Sequence, residues 1–129
     1  MTVPSLSSRE AHLLGDIVEE GRKAIKYLGG RSASELTADD MRLNAILKVL
    51  QNTVEACIQI DGKKNKRRFD VILPDHDLDA LKEIGNLARH DYGAANPMNL
   101  IEDVTVRLPP LIADAEALLD AHRRLHGGG

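Results

Sequence analysis

Tryptophan is absent from this chain, which has one phenylalanine and two tyrosines, so aromatic residues make up only 2% of it. A core without aromatic bulk falls to Leu, Ile, Val and Ala, and that composition favours packed helices over a sheet rich in aromatic and β-branched side chains. The single cysteine, Cys57, excludes an internal disulfide, and its place in an apolar helical run predicts a small core residue. No apolar run approaches the length of a membrane span, and Met1 to Leu6 lack the charged and apolar regions of a signal peptide; the expected location is the cytoplasm, with no membrane contact. Net basic charge is missing too. A formal charge of −3 argues against indiscriminate coating of nucleic acid and restricts any such contact to a local patch. There is no internal repeat, phosphate-binding glycine loop or nucleophile elbow.

What the chain does hold is helical periodicity over a length that suits one domain. Its 129 residues read as a single unit, 1–129, with a core over about 7–125 and a flexible tail at Gly127 to Gly129. Ser7 and Glu10 form the signature of a capping box. Behind them Ala11, Leu14, Val18, Gly21, Ile25 and Leu28 give an apolar stripe, widened by Leu13, Ile17 and Ala24 and stopped by Gly29-Gly30. Thr37, Asp39 and Asp40 mark a second start, and a helix is predicted from about Ala38 to Ile60. Leu43, Leu47, Leu50, Val54 and Cys57 form one seam of it, with Ile46, Val49 and Ile60 on another side, so it should have neighbours on two faces. Symmetric pairing of two chains would cover any apolar surplus there.

Phe69 to Leu73 reads as a loop covering the core, because a strand there would be isolated. Asp75, His76, Asp77 and Asp79 then supply caps and dipole-complementing charge for a third helix with a stripe of Leu78, Leu81, Ile84 and Ala88. Asn96-Pro97 predicts a cap with proline at the first helical position, and Met98, Ile101, Val104 and Leu108 continue the pattern. Pro109-Pro110 should kink or break that last helix, which resumes to about Leu125. The expected fold is therefore all-α, an up-and-down bundle of four to five helices. His122 and His126 have a spacing that suits a metal, but two ligands are too few, and dipole complementarity explains them.

Two segments carry chemistry. In Gly85-Asn86-Leu87-Ala88-Arg89-His90-Asp91-Tyr92, helical spacing puts Asn86 and His90 one turn apart, with Arg89 three residues after Asn86. An imidazole can move a proton to or from an oxygen, and a guanidinium stabilises charge growing on a phosphate. A polar helix end that complements the dipole accounts for the same residues. The second segment, Lys63, Lys64, Lys66, Arg67 and Arg68, is interrupted only by Asn65 and reads either as a solvated loop or as a local phosphate contact.

Across about Arg9 to Leu119 the chain resembles the HepT-like branch of the HEPN family, small helical proteins that form the toxin half of HepT/MntA toxin–antitoxin pairs. The likeness includes Leu14, Asp16, Ile17 and Tyr27-Leu28, then Arg42, Ala45 and Val54-Glu55-Ala56, and Leu108-Pro109 with Leu111. Its strongest element is Asn86 with His90-Asp91-Tyr92, matching the latter part of an Arg-Asn-x-x-x-His-x-Tyr signature. The resemblance implies a homodimeric, metal-independent endoribonuclease acting on RNA without a cofactor. His90 would be its acid/base group, Asn86 would orient the imidazole or phosphate, and Tyr92 would complete the pocket. It also implies a nucleotidyltransferase antitoxin that silences the toxin by attaching AMP to Tyr92. The signature's arginine belongs at position 85, where this chain has Gly85. Arg89, a turn later, is the expected replacement, its guanidinium passing over the space that Gly85 leaves. A catalytically weak module that binds a nucleotidyltransferase, or acts by regulation, is the alternative that Gly85 supports.

Overall fold

A computed structural model describes residues 4–62, 66–90 and 97–126, with the backbone alone for 87–90. It contains helices α1 (Ser8–Leu28), α2 (Ala33–Thr37), α3 (Asp40–Ile60), α4 (Arg68–Ile72), α5 (Leu78–His90), α6 (Pro97–Glu102) and α7 (Leu108–Leu125), with a π-helical turn at Asp103–Arg107 between the last two. No strand occurs among the described residues, and the all-α expectation holds.

Local chemistry sets most of the boundaries. The Ser7 side chain accepts from Glu10 N–H while the Glu10 carboxylate accepts from Ser7 N–H, closing the predicted capping box. Gly29 ends α1 in the left-handed region, at φ 53°, where a side chain would be strained. The second long helix begins later than predicted. Asp39 caps it through Arg42 N–H, and Thr37 belongs instead to α2, which opens on a second capping box made by Ser32 and Glu35. Leu36 of α2 has no exposed surface, so this short helix closes one end of the core.

Phe69 to Leu73 covers the core as expected, but as a helical turn and not a loop. Asp61 Oδ1 accepts from Phe69 N–H at 2.7 Å, and Phe69, Ile72 and Leu73 are buried. At the other proline-marked site the outcome is also specific. Pro109 and Pro110 have no N–H for the α-ladder, and the preceding turn widens to the π pattern, with Leu108 N–H reaching Asp103 O. The chain thus runs helically from Pro97 to Leu125 with its irregularity placed just ahead of the two prolines.

The central element is α3, which packs on α1 along one side and on α5 along the other, while α7 packs on α1. Two-sided packing was the prediction for this helix, and its large apolar residues are buried or half-buried within the chain itself; only Met41, at 86% exposure, stands out. The apolar surplus expected to call for a second subunit is therefore absorbed by α1, α2, α4 and α5. Among the described residues, no helix is long and apolar enough to cross a membrane.

Candidate functional site

The motif segment ends α5, and its register against α3 is fixed at one close contact. Gly85 is buried, and a Cβ built there would meet Val54 Cγ1 at 2.9 Å and Val54 Cβ at 3.3 Å. Position 85 therefore faces α3, and the space beside it is already filled by Val54. This corrects the expectation that Gly85 leaves room for the Arg89 guanidinium to pass over it. An arginine at position 85 would have no path without separating the two helices.

The outward residues follow from the same register. Leu81 and Ile84 are buried to one side of Gly85, while Lys82 and Asn86 are exposed to the other. Position 90 falls one helical turn beyond Asn86 along α5. Position 89 lies between that side and the α3 seam. The helix thus brings Asn86, Arg89 and His90 to adjoining backbone positions, while Tyr92 lies outside the described residues.

The described part of the basic segment follows the opposite end of α3. Asp61 anchors the returning chain at the C-terminal end of α3, so α5 runs back along α3 in the opposite direction. With Gly85 level with Val54, position 90 lies about 7.5 Å toward the N-terminus of α3 and Ile60 about 9 Å the other way, at 1.5 Å per residue. Ile60 is therefore about 16 Å along the axis from position 90, and the described cations Lys66 and Arg67 come after it in the chain.

Nor is that segment uniform. Lys63 and Lys64 lie outside the described residues; Lys66 and Arg67 are exposed. Arg68 is committed elsewhere. Its Nε donates to Glu10 Oε2 at 2.7 Å, its Nη2 donates to Ser5 O, and its side chain is only 17% exposed. Burial works against ionisation of Glu10, but the hydrogen bonds from Arg68 and Ser7 and the guanidinium charge outweigh it and hold the carboxyl below its ordinary value. Arg68 is thus a tie between α4 and the start of α1, which corrects its expected role as a free phosphate contact.

The remaining candidates have structural partners. Asp77 Oδ1 accepts from Asp79 N–H and Ala80 N–H at the head of α5, and His76 Nε2 is 2.7 Å from Asp114 Oδ2, joining the loop before α5 to α7. His122 and His126 place their ring centroids 4.4 Å apart near the end of α7. Cys57 is fully buried, which pushes its thiol up to about 12, so it is no nucleophile in the folded chain. The capping box of α2 and the π-turn were missed from sequence; Ser32-x-x-Glu35 was a legible signal for the first.

Searches of curated proteins and of solved structures returned no match. A family model described as "Ribonuclease HepT-like" matches residues 17–118, most of the chain and every element from the body of α1 to that of α7. The match covers α3, α5 and the segment between His90 and Pro97, and with it the chain belongs to the HepT-like ribonuclease family.

Proposed function

We propose that this chain is a metal-independent endoribonuclease toxin of a HepT/MntA-type module, working in the cytoplasm as a single-domain subunit of a homodimer. The observation that carries the reading is Asn86, exposed on the outer side of α5 one turn before position 90, in a chain of a ribonuclease family. In this mechanism the His90 imidazole takes the proton from a ribose 2′-hydroxyl as its oxygen attacks the adjacent phosphorus. The P–O5′ bond breaks, a proton passes to the leaving 5′ oxygen, and a 2′,3′-cyclic phosphate is left. Arg89 stabilises the charge on the phosphate oxygens, and Asn86 orients the imidazole or the phosphate.

Acid/base assistance contributes about 10²- to 10⁴-fold, so His90→Ala should remove most turnover while the fold remains. The test is expression of the chain alone in bacteria, with and without His90→Ala, alongside cleavage of RNA by the purified protein. Cleavage that persists in the variant, or disappears with EDTA, would count against the mechanism. DNA, lacking the 2′-hydroxyl, should stay intact. The partner in this reading is a nucleotidyltransferase antitoxin that adds AMP to Tyr92, where a bulky phosphodiester two residues from His90 would obstruct the substrate phosphate. Intact mass of the protein made with and without its genomic neighbour checks that step.

A second reading has one specific observation behind it. The signature arginine is replaced by Gly85, and Val54 fills the place it would need. A catalytically weak module that binds a nucleotidyltransferase fits that packing. Harmless expression together with tight partner binding would favour it.

A further inference from the structure

We infer that Glu55 of α3 is a positioning residue of the motif, its carboxylate holding the Arg89 guanidinium on the outer flank of α5. This rests on the ribonuclease reading and names the group that orients the arginine on which that mechanism relies.

The register of the two helices carries the inference. Val54 and Gly85 meet at the seam, and α5 runs back along α3 in the opposite direction. Glu55 follows Val54 by one residue, which turns it about 100° from the seam, to the side where Asn44 and Lys48 are exposed; Glu55 itself is half-buried. Position 89 follows Gly85 by four residues and lies about 40° from the seam, on the side where Lys82 and Asn86 are exposed. Because the buried sides of both helices turn toward one core, these two flanks adjoin.

Along the axis the backbone positions of 55 and 89 are about 7.5 Å apart, and that gap closes from both ends. Helical side chains lean toward the N-terminus of their own helix. In an antiparallel pair Glu55 therefore leans toward the level of position 89, and a side chain at 89 leans toward the level of Glu55. Lys82 stands about 3 Å beyond Glu55 in level and leans further away, so it does not compete for the carboxylate.

The other acids of the two helices are out of place for this role. The residues three and four before position 89 are Asn86 and Gly85, neither of them acidic, while Asp79 and Glu83 lie further round the exposed side of α5. On α3 the acids are Asp40 and Glu55, and Asp40 is about 15 Å along the axis from position 89. Glu55 is flanked by the buried Val54 and Ala56, a setting in which a cation beside the carboxylate favours its ionised form. It is an engaged side chain, and Gln59 Nε2, which donates to its Oε1 at 3.4 Å, brings an amide and no charge. A guanidinium has five N–H donors in a planar fork, so one edge can bond Glu55 while the other faces a substrate phosphate. Glu55 then acts in two opposite senses: it fixes the arginine for the reaction, and its own charge weakens the attraction of RNA before reaction.

The test follows cleavage of a labelled oligouridylate by the full chain, and the arginine Nε–H signals of the same protein by nitrogen-15 NMR. Glu55→Gln should lower kcat by about 10- to 100-fold without raising KM, and Glu55→Asp should recover part of the loss. In the Arg89→Gln background the same Glu55→Gln change should cost nothing further, because Glu55 works through Arg89. The Arg89 Nε–H signal, identified by its loss in Arg89→Gln, should exchange with water more slowly in the native chain than in Glu55→Gln. A raised KM at unchanged kcat, an equal loss with and without Arg89, or an exchange rate indifferent to Glu55 overturns the inference. If the native chain cuts RNA in a His90-dependent way while that exchange ignores Glu55, the positioning role fails and the ribonuclease reading stands. If the exchange depends on Glu55 but the native chain leaves RNA intact, the pairing holds and the ribonuclease reading fails.

Discussion

Replacing Gly85 by alanine should destabilise the protein, although the same change in an open helix interior would stabilise it. Removing a helical glycine is worth about 1 kcal/mol in propensity. Here the new Cβ would sit 2.9 Å from Val54 Cγ1 and 3.3 Å from Val54 Cβ, on a β-branched side chain with few rotamers to retreat into. Overpacking of this kind costs about 1 to 3 kcal/mol, so the net expectation is a loss of about 1 kcal/mol. Val54→Ala alone removes two methyl groups from a residue 3% exposed and should cost about 2 kcal/mol. In that background the alanine at 85 occupies space that Val54 has vacated, and the double variant should be more stable than the sum of the single losses predicts by about 2 kcal/mol. Urea unfolding followed by far-UV circular dichroism measures the cycle. A stabilisation of about 1 kcal/mol by Gly85→Ala in both backgrounds would refute the close approach of α5 to α3. Gly85→Arg, which restores the family signature, should neither fold as stably nor raise activity while Val54 is in place.

Three further expectations concern the rest of the chain. The Glu10 carboxyl is held below its ordinary value in the folded chain, so its contribution is full above the unfolded pKa and disappears as pH falls through the folded one. Arg68→Ala should cost about 2 to 3 kcal/mol near neutrality and flatten the acid limb of a stability–pH curve. An acid limb unchanged in Arg68→Ala would break that linkage. Burial, opposed by Arg107 and reinforced by Glu102, raises the Asp103 carboxyl, so its ionised form is disfavoured by folding near neutrality; Asp103→Asn should raise the melting temperature there, and the gain should vanish below the unfolded pKa. The Cys57 thiol should react with iodoacetamide only at the rate of global unfolding, as mass spectrometry over a urea series would report; rapid labelling of the native protein would contradict its burial.

Elements whose cause is local were legible in the sequence, and those set by a distant partner were not. The capping box at Ser7, the glycine stop at Gly29 and the two apolar sides of α3 all follow from spacing within one segment. The π-turn was legible only as a disturbance, because two prolines announce lost hydrogen bonds without saying which turn will absorb them. Arg68 reads in sequence as one of five like charges, yet its partner Glu10 is 58 residues away, and no local pattern announces that pairing. The face that position 85 turns toward α3 depends on Val54 in the same way. The exposed side on which Asn86 lies follows from helical spacing alone, whereas the inward contact at position 85 does not.

The inward part bears on how a chain without the signature arginine can place a guanidinium at the motif. With Gly85 the α5 backbone lies against Val54, closer than any residue with a side chain would allow. Position 89 lies one turn further on, rotated by about 40° from position 85 toward the exposed side. In the proposed mechanism a guanidinium carried there works beside Asn86, from a backbone position level with Leu50. In that proposal the glycine and the shifted arginine go together: close packing of α5 on α3 closes the inward route at position 85, and position 89 is the nearest place from which a guanidinium could serve. Arg89→Gln should accordingly lower RNA cleavage without lowering stability, whereas Val54→Ala with Gly85→Arg, which reopens the inward route, should recover part of the cleavage lost in Arg89→Gln. Failure of that triple variant to exceed Arg89→Gln, in a protein that still melts cooperatively, would show that the two positions are not interchangeable.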